Sequence, residues 1–165
     1  MPHFDEPRLP VRIEAATVDD AEAILTLQRR AYQSEAALYE DWSIPPLTEA
    51  LDDLRGEFPD TIVLKAISKK ALVGSIRGNA QDGTCTIRRL SVKPELQGHG
   101  IGSLLVQALE DLFPAVARFE LYTGARSAAN IRLYERLGYR LFRTQVYSDS
   151  VTLAFMEKSN VAYRG

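Results

Sequence analysis

Three glycines at the start of the most regular amphipathic helix constrain this chain more than any other feature. They lie in the segment Lys93-Pro94-Glu95-Leu96-Gln97-Gly98-His99-Gly100-Ile101-Gly102, which follows a strand-like run over 84–92. Apolar residues then recur at helical spacing, at Ile101, Leu104, Leu105, Ala108, Leu109 and Leu112. Glycine lets the backbone approach a ligand closely, and a helix start presents unpaired amides with partial positive charge. The pattern predicts an anion cradle for a phosphate or pyrophosphate.

Known phosphate-binding motifs fit this segment incompletely. A P-loop ends in Gly-Lys-Ser/Thr, and that sequence does not occur here. A dinucleotide fingerprint requires a third glycine where this chain has Ser103, and it opens a β-α-β unit, whereas this motif follows three strands. Glu120 does lie about twenty residues further on, where a ribose-binding acid would be. A nucleotide-dependent oxidoreductase therefore stays open as an alternative.

Hydrophobic periodicity predicts the element order β-α-α-β-β-β-α-β-α-β-β, a mixed sheet with helices packed on it. The first helix follows Thr17 and extends to about Ala37, and Pro45-Pro46 interrupts the pattern before a second helix that starts near Thr48. Ser127 is predicted to cap the last helix, and the strands 140–147 and 151–156 to form a terminal hairpin.

Composition excludes several protein classes. The chain has 165 residues, one cysteine and two histidines, so we expect a single domain with neither an internal disulfide nor a metal site. The longest apolar runs are too short to span a membrane, and the N-terminus lacks the features of a secretory signal. No basic stripe with interleaved aromatic residues suggests nucleic-acid binding. We therefore expect a cytoplasmic protein without a nucleic-acid or membrane partner.

Charge is unevenly distributed along the chain. Residues 34–60 carry eight acidic side chains against one arginine, whereas residues 85–145 carry nine lysines or arginines against five acids. An acidic region suits a cationic ligand and a basic region suits an anionic one. A solvated surface of mixed charge is the other interpretation of the same distribution.

Two motifs resemble the GNAT superfamily of N-acetyltransferases. Gln97, Gly100 and Gly102 match its motif A signature, Arg/Gln-x-x-Gly-x-Gly/Ala, and the preceding strand and Pro94 are similar too. About thirty residues later, the segment 130–139 (NIRLYERLGY) resembles its motif B. The resemblance implies an α/β (α+β) fold, a single GNAT-like acyl-CoA N-acyltransferase domain with a mixed, mostly antiparallel central sheet flanked by helices.

The resemblance also implies roles for individual residues. The strands 90–92 and 121–123 would separate and hold the pantetheine arm of acetyl-CoA between them. Asn130 would contact the arm, and Tyr134 would protonate the departing thiolate as the general acid. The implied cofactor-binding residues are Leu90, Ser91, Val92, Gln97, Gly98, His99, Gly100, Ile101, Gly102, Ser103, Asn130 and Tyr134.

The general base and the acceptor are less constrained. Many family members carry a glutamate on the strand before the glycine-rich loop, where this chain has Arg88 and Arg89. A base could instead come from Glu35, Glu40 or Asp41, or from a chain of water molecules. The segment 32–47 would roof the acceptor pocket and would contribute Tyr32, Tyr39 and Trp42 to it. Because acidic residues are frequent there, we expect a cationic acceptor: a polyamine, an amino acid amine or a peptide amine.

Together these observations predict transfer of an acetyl group from acetyl-CoA to a primary amine by direct attack, without a metal. The alternative is a non-catalytic CoA-binding regulatory module with the same fold. The predicted domain covers residues 11–158, between an N-terminal tail (1–10) and a C-terminal tail (159–165). A homodimer is common for such folds, but nothing in the sequence requires one.

Overall fold

The computed structural model describes residues 9–164, and within them the chain forms seven strands and six α-helices. The strands are β1 (Arg12–Ala15), β2 (Ile62–Ser68), β3 (Ala71–Gln81), β4 (Thr84–Val92), β5 (Arg118–Gly124), β6 (Arg140–Val146) and β7 (Thr152–Ser159). The helices are α1 (Ala21–Ala31), α2 (Gln33–Tyr39), α3 (Pro45–Thr48), α4 (Leu51–Glu57), α5 (Ile101–Asp111) and α6 (Ala128–Arg136). None of the helices in this part of the chain has the length and apolarity needed to cross a bilayer.

All seven strands join one sheet in the order β1-β2-β3-β4-β5-β7-β6. Only β4 and β5 pair in parallel, and the other neighbours are antiparallel. The predicted mixed, mostly antiparallel sheet is thereby confirmed. β7 lies between β5 and β6, so the terminal hairpin places its first strand at the sheet edge.

The parallel pair β4 and β5 is joined over only half its length. The paired residues extend from Thr84 with Arg118 to Ile87 with Leu121, and there the pairing ends. A bulge follows at once in β4: its register against β3 shifts between Ser75 and Arg77, and Arg89 has a left-handed φ of 57°. The bulge redirects the rest of β4, so the ends of the two strands lie apart.

Helices cover both faces of the sheet because successive strand residues point to opposite sides. Leu64 packs in the hydrophobic cluster on the face that α5 covers. Its neighbour Val63 packs on the other face, in the cluster with Ile24 of α1 and Leu54 of α4. α5 lies unusually close to β3, where a Cβ atom at Gly74 would approach Leu105 to 2.9 Å and one at Gly78 would approach Leu109 to 2.8 Å. Glycine at these two positions permits that packing.

The segment between β1 and β2 differs from the prediction of two helices. The first helix breaks at Tyr32, and α2 then buries Ala36 and Tyr39 against Ile44 and Val151 as a separate cluster. Pro45 does not end a helix but begins the one-turn α3, because the first helical position needs no amide hydrogen bond.

Candidate active site

A cavity of about 930 Å³ lies where β4 and β5 separate. Its walls are the end of β4, the glycine-rich loop and start of α5, the end of β5, one face of α6 and the helices that follow β1. The predicted site residues among its lining are Tyr32, Glu35, Tyr39, Leu90, Val92, Gln97, Gly98, Gly100, Ile101, Gly102, Ser103, Asn130 and Tyr134. The fold therefore brings together residues that lie as much as a hundred positions apart in the chain.

Six consecutive backbone amides, those of residues 98–103, face no acceptor among the residues that the structure describes. The first hydrogen bond of α5 runs from the amide of Leu104 to the carbonyl oxygen of Gly100, at 3.1 Å. These amides lie at the positive end of an eleven-residue helix, and five of the six residues, all except His99, line the same cavity. Unpaired donors of this kind form a binding site for a phosphate or pyrophosphate.

The glycines leave this loop open. Gly98 and Gly100 have left-handed φ angles of 85° and 82°, and a Cβ atom at either position would meet no heavy atom within 4 Å. Gly100 is the residue that starts α5. Glycine here both permits the turn and leaves free space in front of the amides, as a close-fitting anion requires.

Tyr134 projects from α6 into the cavity with 7% of its surface exposed. Its hydroxyl donates to no acceptor within residues 9–164. Burial, and to a smaller extent the neighbouring Tyr32 and Glu35, raises the pKa of Tyr134 well above the ordinary value of 10.0. The structure thus presents a protonated hydroxyl whose hydrogen bond is free for a ligand.

Glu35 of α2 lines the cavity beside the start of α6, in a chain of hydrogen bonds. The hydroxyl of Ser127 donates to its carboxylate, and Asn130 Nδ2 lies 3.3 Å from Glu35 Oε1. The Ser127 hydroxyl has one proton and donates it to Glu35. In the contact between Ser127 Oγ and the Tyr39 hydroxyl, at 3.0 Å, Tyr39 is therefore the donor. Tyr39 accepts in turn from the amide of Arg126 at 2.9 Å. Glu35 is thereby fixed beside Asn130.

Sequence reasoning missed the role of Ser127. We expected its hydroxyl to cap α6, but the side chain makes no capping hydrogen bond and contacts Glu35 and Tyr39 instead. The carbonyl oxygen of Ser127 still accepts from the amide of Ile131 at 3.0 Å, so the helix begins where the sequence predicted. No sequence signal identifies the partner, because it comes from α2.

Several other predicted site residues lie away from the cavity lining. Glu40 ends α2 in a left-handed conformation and is exposed, and Trp42 is 56% exposed. Asp41 lies at the surface, where its carboxylate accepts hydrogen bonds from Ser150 and Ser43, and these bonds lower its pKa. Only Glu35 of the three acidic candidates for the base lines the cavity.

Two of the predicted cofactor residues also point elsewhere. Ser91 is 2% exposed, and its hydroxyl donates to the carbonyl oxygen of Arg89 at 3.2 Å. The exposed His99 side chain is absent from the cavity lining. Among the described residues no group of His, Cys, Asp and Glu side chains is arranged to hold a metal ion.

A buried ionic network lies behind the bulge of β4, and no pattern in the sequence predicted it. Arg77 of β3 is fully buried, and it contacts Glu49 Oε1 at 2.7 Å, Gln28 Oε1 at 2.6 Å and the carboxylate of Glu57. Arg88 binds the same Glu57 at 2.7 Å. The network connects α1, α4 and the loop before α4 to β3 and to β4, and β4 forms part of the cavity wall.

Glu49 is the most strongly perturbed acid of this network. Burial disfavours its charged form, but hydrogen bonds from Arg77 and Gln28 together with the charges of Arg77 and Arg89 lower its pKa from 4.5 to about 2. Glu49 also holds Arg89 on the other side, with the closest ionic atoms 3.7 Å apart. Glu49 is therefore ionised at neutral pH and faces arginine side chains.

The acidic run therefore does not face the cavity as expected. Of its eight acids only Glu35 lines the cavity, together with the cations Arg88, Arg89 and Arg136. The expectation of a cationic acceptor rested on the number of acids in this segment. The structure places two of them, Glu49 and Glu57, in ion pairs with arginines.

Solved structures of similar fold come from several organisms. The chain is similar to a PaiA N-acetyltransferase from Thermoplasma acidophilum in complex with coenzyme A, with 21% identity, a TM-score of 0.77, and coverage of 91% of this chain and 99% of that one. It is similar to YncA, a putative acetyltransferase from Salmonella typhimurium with acetyl-CoA, with 21% identity, a TM-score of 0.73, and coverage of 94% and 96%. The ribosomal-protein-S18-alanine N-acetyltransferase from Escherichia coli is 18% identical, with a TM-score of 0.73 and coverage of 94% and 96%.

A search of curated protein sequences finds no match. The model of one protein family does match, over residues 21–139, and its description is acetyltransferase (GNAT) family. This region includes both motifs, the glycine-rich loop, the separated strand ends and the α6 face with Tyr134. The chain therefore belongs to the GNAT family of acetyltransferases.

Proposed function

We propose that this protein transfers an acetyl group from acetyl-CoA to a primary amine of a small molecule or peptide. The observation that carries this proposal is the row of six unpaired amides at the start of α5, beside the gap between β4 and β5. A ligand with a pyrophosphate and a long narrow arm suits both features. The residues 11–158 would form the transferase domain.

In this proposal the unpaired amides of residues 98–103 bind the pyrophosphate, and the open space at Gly98 and Gly100 accommodates it. The Gln97 amide is already bonded to the carbonyl oxygen of Pro94, so Gln97 contributes its side chain to the lining. The freed backbone groups of Leu90 and Val92 hold the pantetheine arm and the acetyl carbonyl, because β4 has no partner on that side beyond Ile87. Asn130 contacts the arm from α6 through its side-chain oxygen, because Nδ2 already donates to Glu35 and Thr123. The side chains of Ser91 and His99 take no part, since neither lines the cavity.

The protein then has to position the amine and move two protons. Acetyl-CoA supplies an acetyl group that is already activated as a thioester, so no covalent nucleophile is needed. Glu35 accepts a proton from the attacking amine, the new bond forms between nitrogen and the acetyl carbon, and the carbon–sulfur bond breaks. Tyr134 donates its hydroxyl proton to the departing sulfur. Tyr32 and Tyr39 line the acceptor side with the apolar residues Leu38, Ile44 and Pro46.

A non-catalytic CoA-binding module is the second candidate. It is favoured by one observation, the arginines 88 and 89 on the strand where many family members carry a glutamate. The two candidates share the cofactor site and differ only in turnover.

Thermal unfolding with acetyl-CoA, with free CoA and with NADH tests the cofactor. At a hundred times its dissociation constant, a ligand that binds only the folded protein stabilises it by about 2.7 kcal/mol. We expect acetyl-CoA and CoA to raise the midpoint and NADH to leave it unchanged. A rise with NADH alone would overturn the proposal in favour of the oxidoreductase.

Release of free thiol with a panel of amines then distinguishes the enzyme from the binding module. We expect amine-dependent thiol release above the rate of acetyl-CoA hydrolysis. Binding of acetyl-CoA without thiol release across the panel would support the regulatory module.

A further inference from the structure

We propose that Arg89 binds a carboxylate of the acceptor, and that the acceptor is an amino acid whose amine lies next to that carboxylate. This inference rests on the proposed function and specifies its substrate class. It starts from the left-handed bulge of β4, where Arg89 immediately precedes Leu90 and lines the cavity.

The guanidinium of Arg89 lacks the partners that a buried cation normally has. Its side chain is 14% exposed, and its Nε is buried without a hydrogen-bond partner. Within residues 9–164 it donates no hydrogen bond, and its one ionic neighbour, Glu49, lies at 3.7 Å. Burying a charge is costly unless it is paired and hydrogen-bonded. A ligand that supplies the acceptor atoms would complete this site.

The carboxylates in the network beside Arg89 are already hydrogen-bonded to other side chains. Both carboxylate oxygens of Glu49 accept from Arg77, at 2.7 and 2.9 Å, and one of them also accepts from Gln28. Glu57 is shared between Arg77 and Arg88. Three arginines therefore face two carboxylates, which leaves one positive charge at the cavity wall. A ligand carboxylate would neutralise it, and it matches the planar fork of an arginine.

The position of Arg89 limits the distance between the amine and the carboxylate of the acceptor. In the proposed function the backbone of Leu90 and Val92, which begins at the residue after Arg89, holds the pantetheine arm and the acetyl carbonyl. An anion held by Arg89 is thus close to the carbon that the amine attacks. Glu35 is the only acid that residues 9–164 contribute to the cavity lining, and it lies near the same tyrosine as Arg89, because the charges of both lie close enough to Tyr32 to act on the pKa of its hydroxyl. An amine and a carboxylate on one small molecule fit this pair of charges.

The rest of the acceptor side is mostly apolar, with Ser34 and Tyr147 among its polar residues. Its lining includes the rings of Tyr32 and Tyr39 and the apolar residues Leu38, Ile44, Pro45, Pro46, Val151 and Leu153. Of the acceptors considered from the sequence, a polyamine has no group for Arg89, and a peptide N-terminus carries an amide where the carboxylate is needed. An amino acid with an apolar side chain has a carboxylate for Arg89, an amine for Glu35 and a side chain for the apolar lining.

The test compares L-phenylalanine with L-phenylalaninamide, and L-leucine with L-leucinamide, as acceptors with acetyl-CoA. The amides have less basic amines, so intrinsic reactivity favours them and works against the expected result. We expect the free acids to be acetylated with a kcat/KM higher by roughly tenfold to a hundredfold, the effect of hydrogen bonds to a charged group.

Arg89→Gln removes the charge and shortens the side chain but keeps a polar amide, and Arg89→Lys keeps the charge on a long side chain but lacks the planar, two-pronged guanidinium. We expect the acid-to-amide ratio to fall to about one in Arg89→Gln and to an intermediate value in Arg89→Lys, with the acetyl-CoA thermal shift unchanged. Arg12→Gln is the control, because Arg12 is 69% exposed and lies outside the cavity lining. It should keep the ratio of the original protein.

The possible outcomes separate this inference from the proposed function. Acetylation of amines without a preference for the acids, or a preference that persists in Arg89→Gln, overturns the inference alone. If acetyl-CoA binds but no amine turns over, the same pairs are compared by thermal shift in the presence of CoA, and equal shifts for acid and amide also overturn it. Absence of any shift with acetyl-CoA overturns the proposed function itself.

Discussion

The Ser127 hydroxyl donates a hydrogen bond to the Glu35 carboxylate, although 92 residues separate the two in the chain. The bond joins α2 to the start of α6 at the cavity wall, and Asn130 Nδ2 makes a second contact, at 3.3 Å, with the same carboxylate. A carboxylate held in this way keeps one orientation, which proton transfer from a bound amine requires. The cavity wall thus combines an anchored acid with the face of α6 that carries Tyr134.

Replacing this acid tests its role as the base. Glu35→Gln keeps an oxygen that can accept from Ser127 but removes the proton acceptor. We expect kcat to fall by roughly 10²-fold, a typical contribution of general base catalysis, while acetyl-CoA binding stays unchanged. Steady-state kinetics and thermal shift measure the two effects. Glu40→Gln is the comparison, since Glu40 is exposed outside the cavity lining, and an equal loss in that variant would contradict the assignment.

The hydroxyl of Tyr134 is the second group to test. Because it makes no hydrogen bond within the described residues, Tyr134→Phe should leave the unfolding midpoint nearly unchanged. Loss of the proton donor should lower kcat by roughly 10²-fold. Its raised pKa keeps the hydroxyl protonated beyond pH 10.0, so kcat of the original protein should show no alkaline decline below that pH from this group. Tyr163→Phe, at an exposed position away from the cavity, serves as control, and full activity of Tyr134→Phe would exclude Tyr134 as the donor.

The glycine-rich loop offers a matched pair of substitutions. Gly100 and Gly83 have φ angles of 82° and 80°, and neither has a heavy atom within 4 Å of the Cβ position. Gly83 lies in the turn between β3 and β4, outside the cavity lining. Glutamate at either position carries the same backbone strain, but only Gly100→Glu places bulk and negative charge where the pyrophosphate would bind. We expect Gly100→Glu to lose the acetyl-CoA thermal shift and Gly83→Glu to keep it. An undiminished shift in Gly100→Glu would refute the location of the site.

Stability at low pH depends on Glu49. Its pKa is lowered in the folded state from 4.5 to about 2, so the contribution of this group to stability is complete above pH 4.5 and is lost as pH falls toward 2. We expect the free energy of unfolding to decrease over that range and to depend less on pH in Glu49→Gln. The substitution leaves Arg77 incompletely paired, at a cost of about 3 kcal/mol near neutral pH. Urea unfolding at several pH values measures both effects.

Asp52→Asn is the control for this network, because the Asp52 carboxylate is 94% exposed and lies 3.5 Å from Arg55. An exposed pair of this kind contributes at most about 0.5 kcal/mol. If Glu49→Gln lowers the free energy of unfolding no more than Asp52→Asn does, the network does not stabilise the protein.

The sequence alone determined the features that are local along the chain. The glycine-rich turn and the helix behind it are both present, because helical spacing and glycine conformation depend on neighbouring residues. The bounds of the strand 84–92 agree with β4, and the fold class and family predicted from the two motifs are confirmed. The break at Tyr32 was not predicted, since it serves the packing of Tyr39 on Val151, far along the chain.

Only the tertiary structure decided which charges meet. The acids of residues 34–60 predicted an acidic surface, but Glu49 and Glu57 are held by arginines from β3 and β4, and Glu35 by Ser127. A sequence displays the charge of each side chain but not its partner, and buried pairs are formed by strands and helices that are distant in the chain. The same pairing leaves Arg89 with no hydrogen-bond partner in the described chain, which is the basis for assigning a carboxylate to the acceptor.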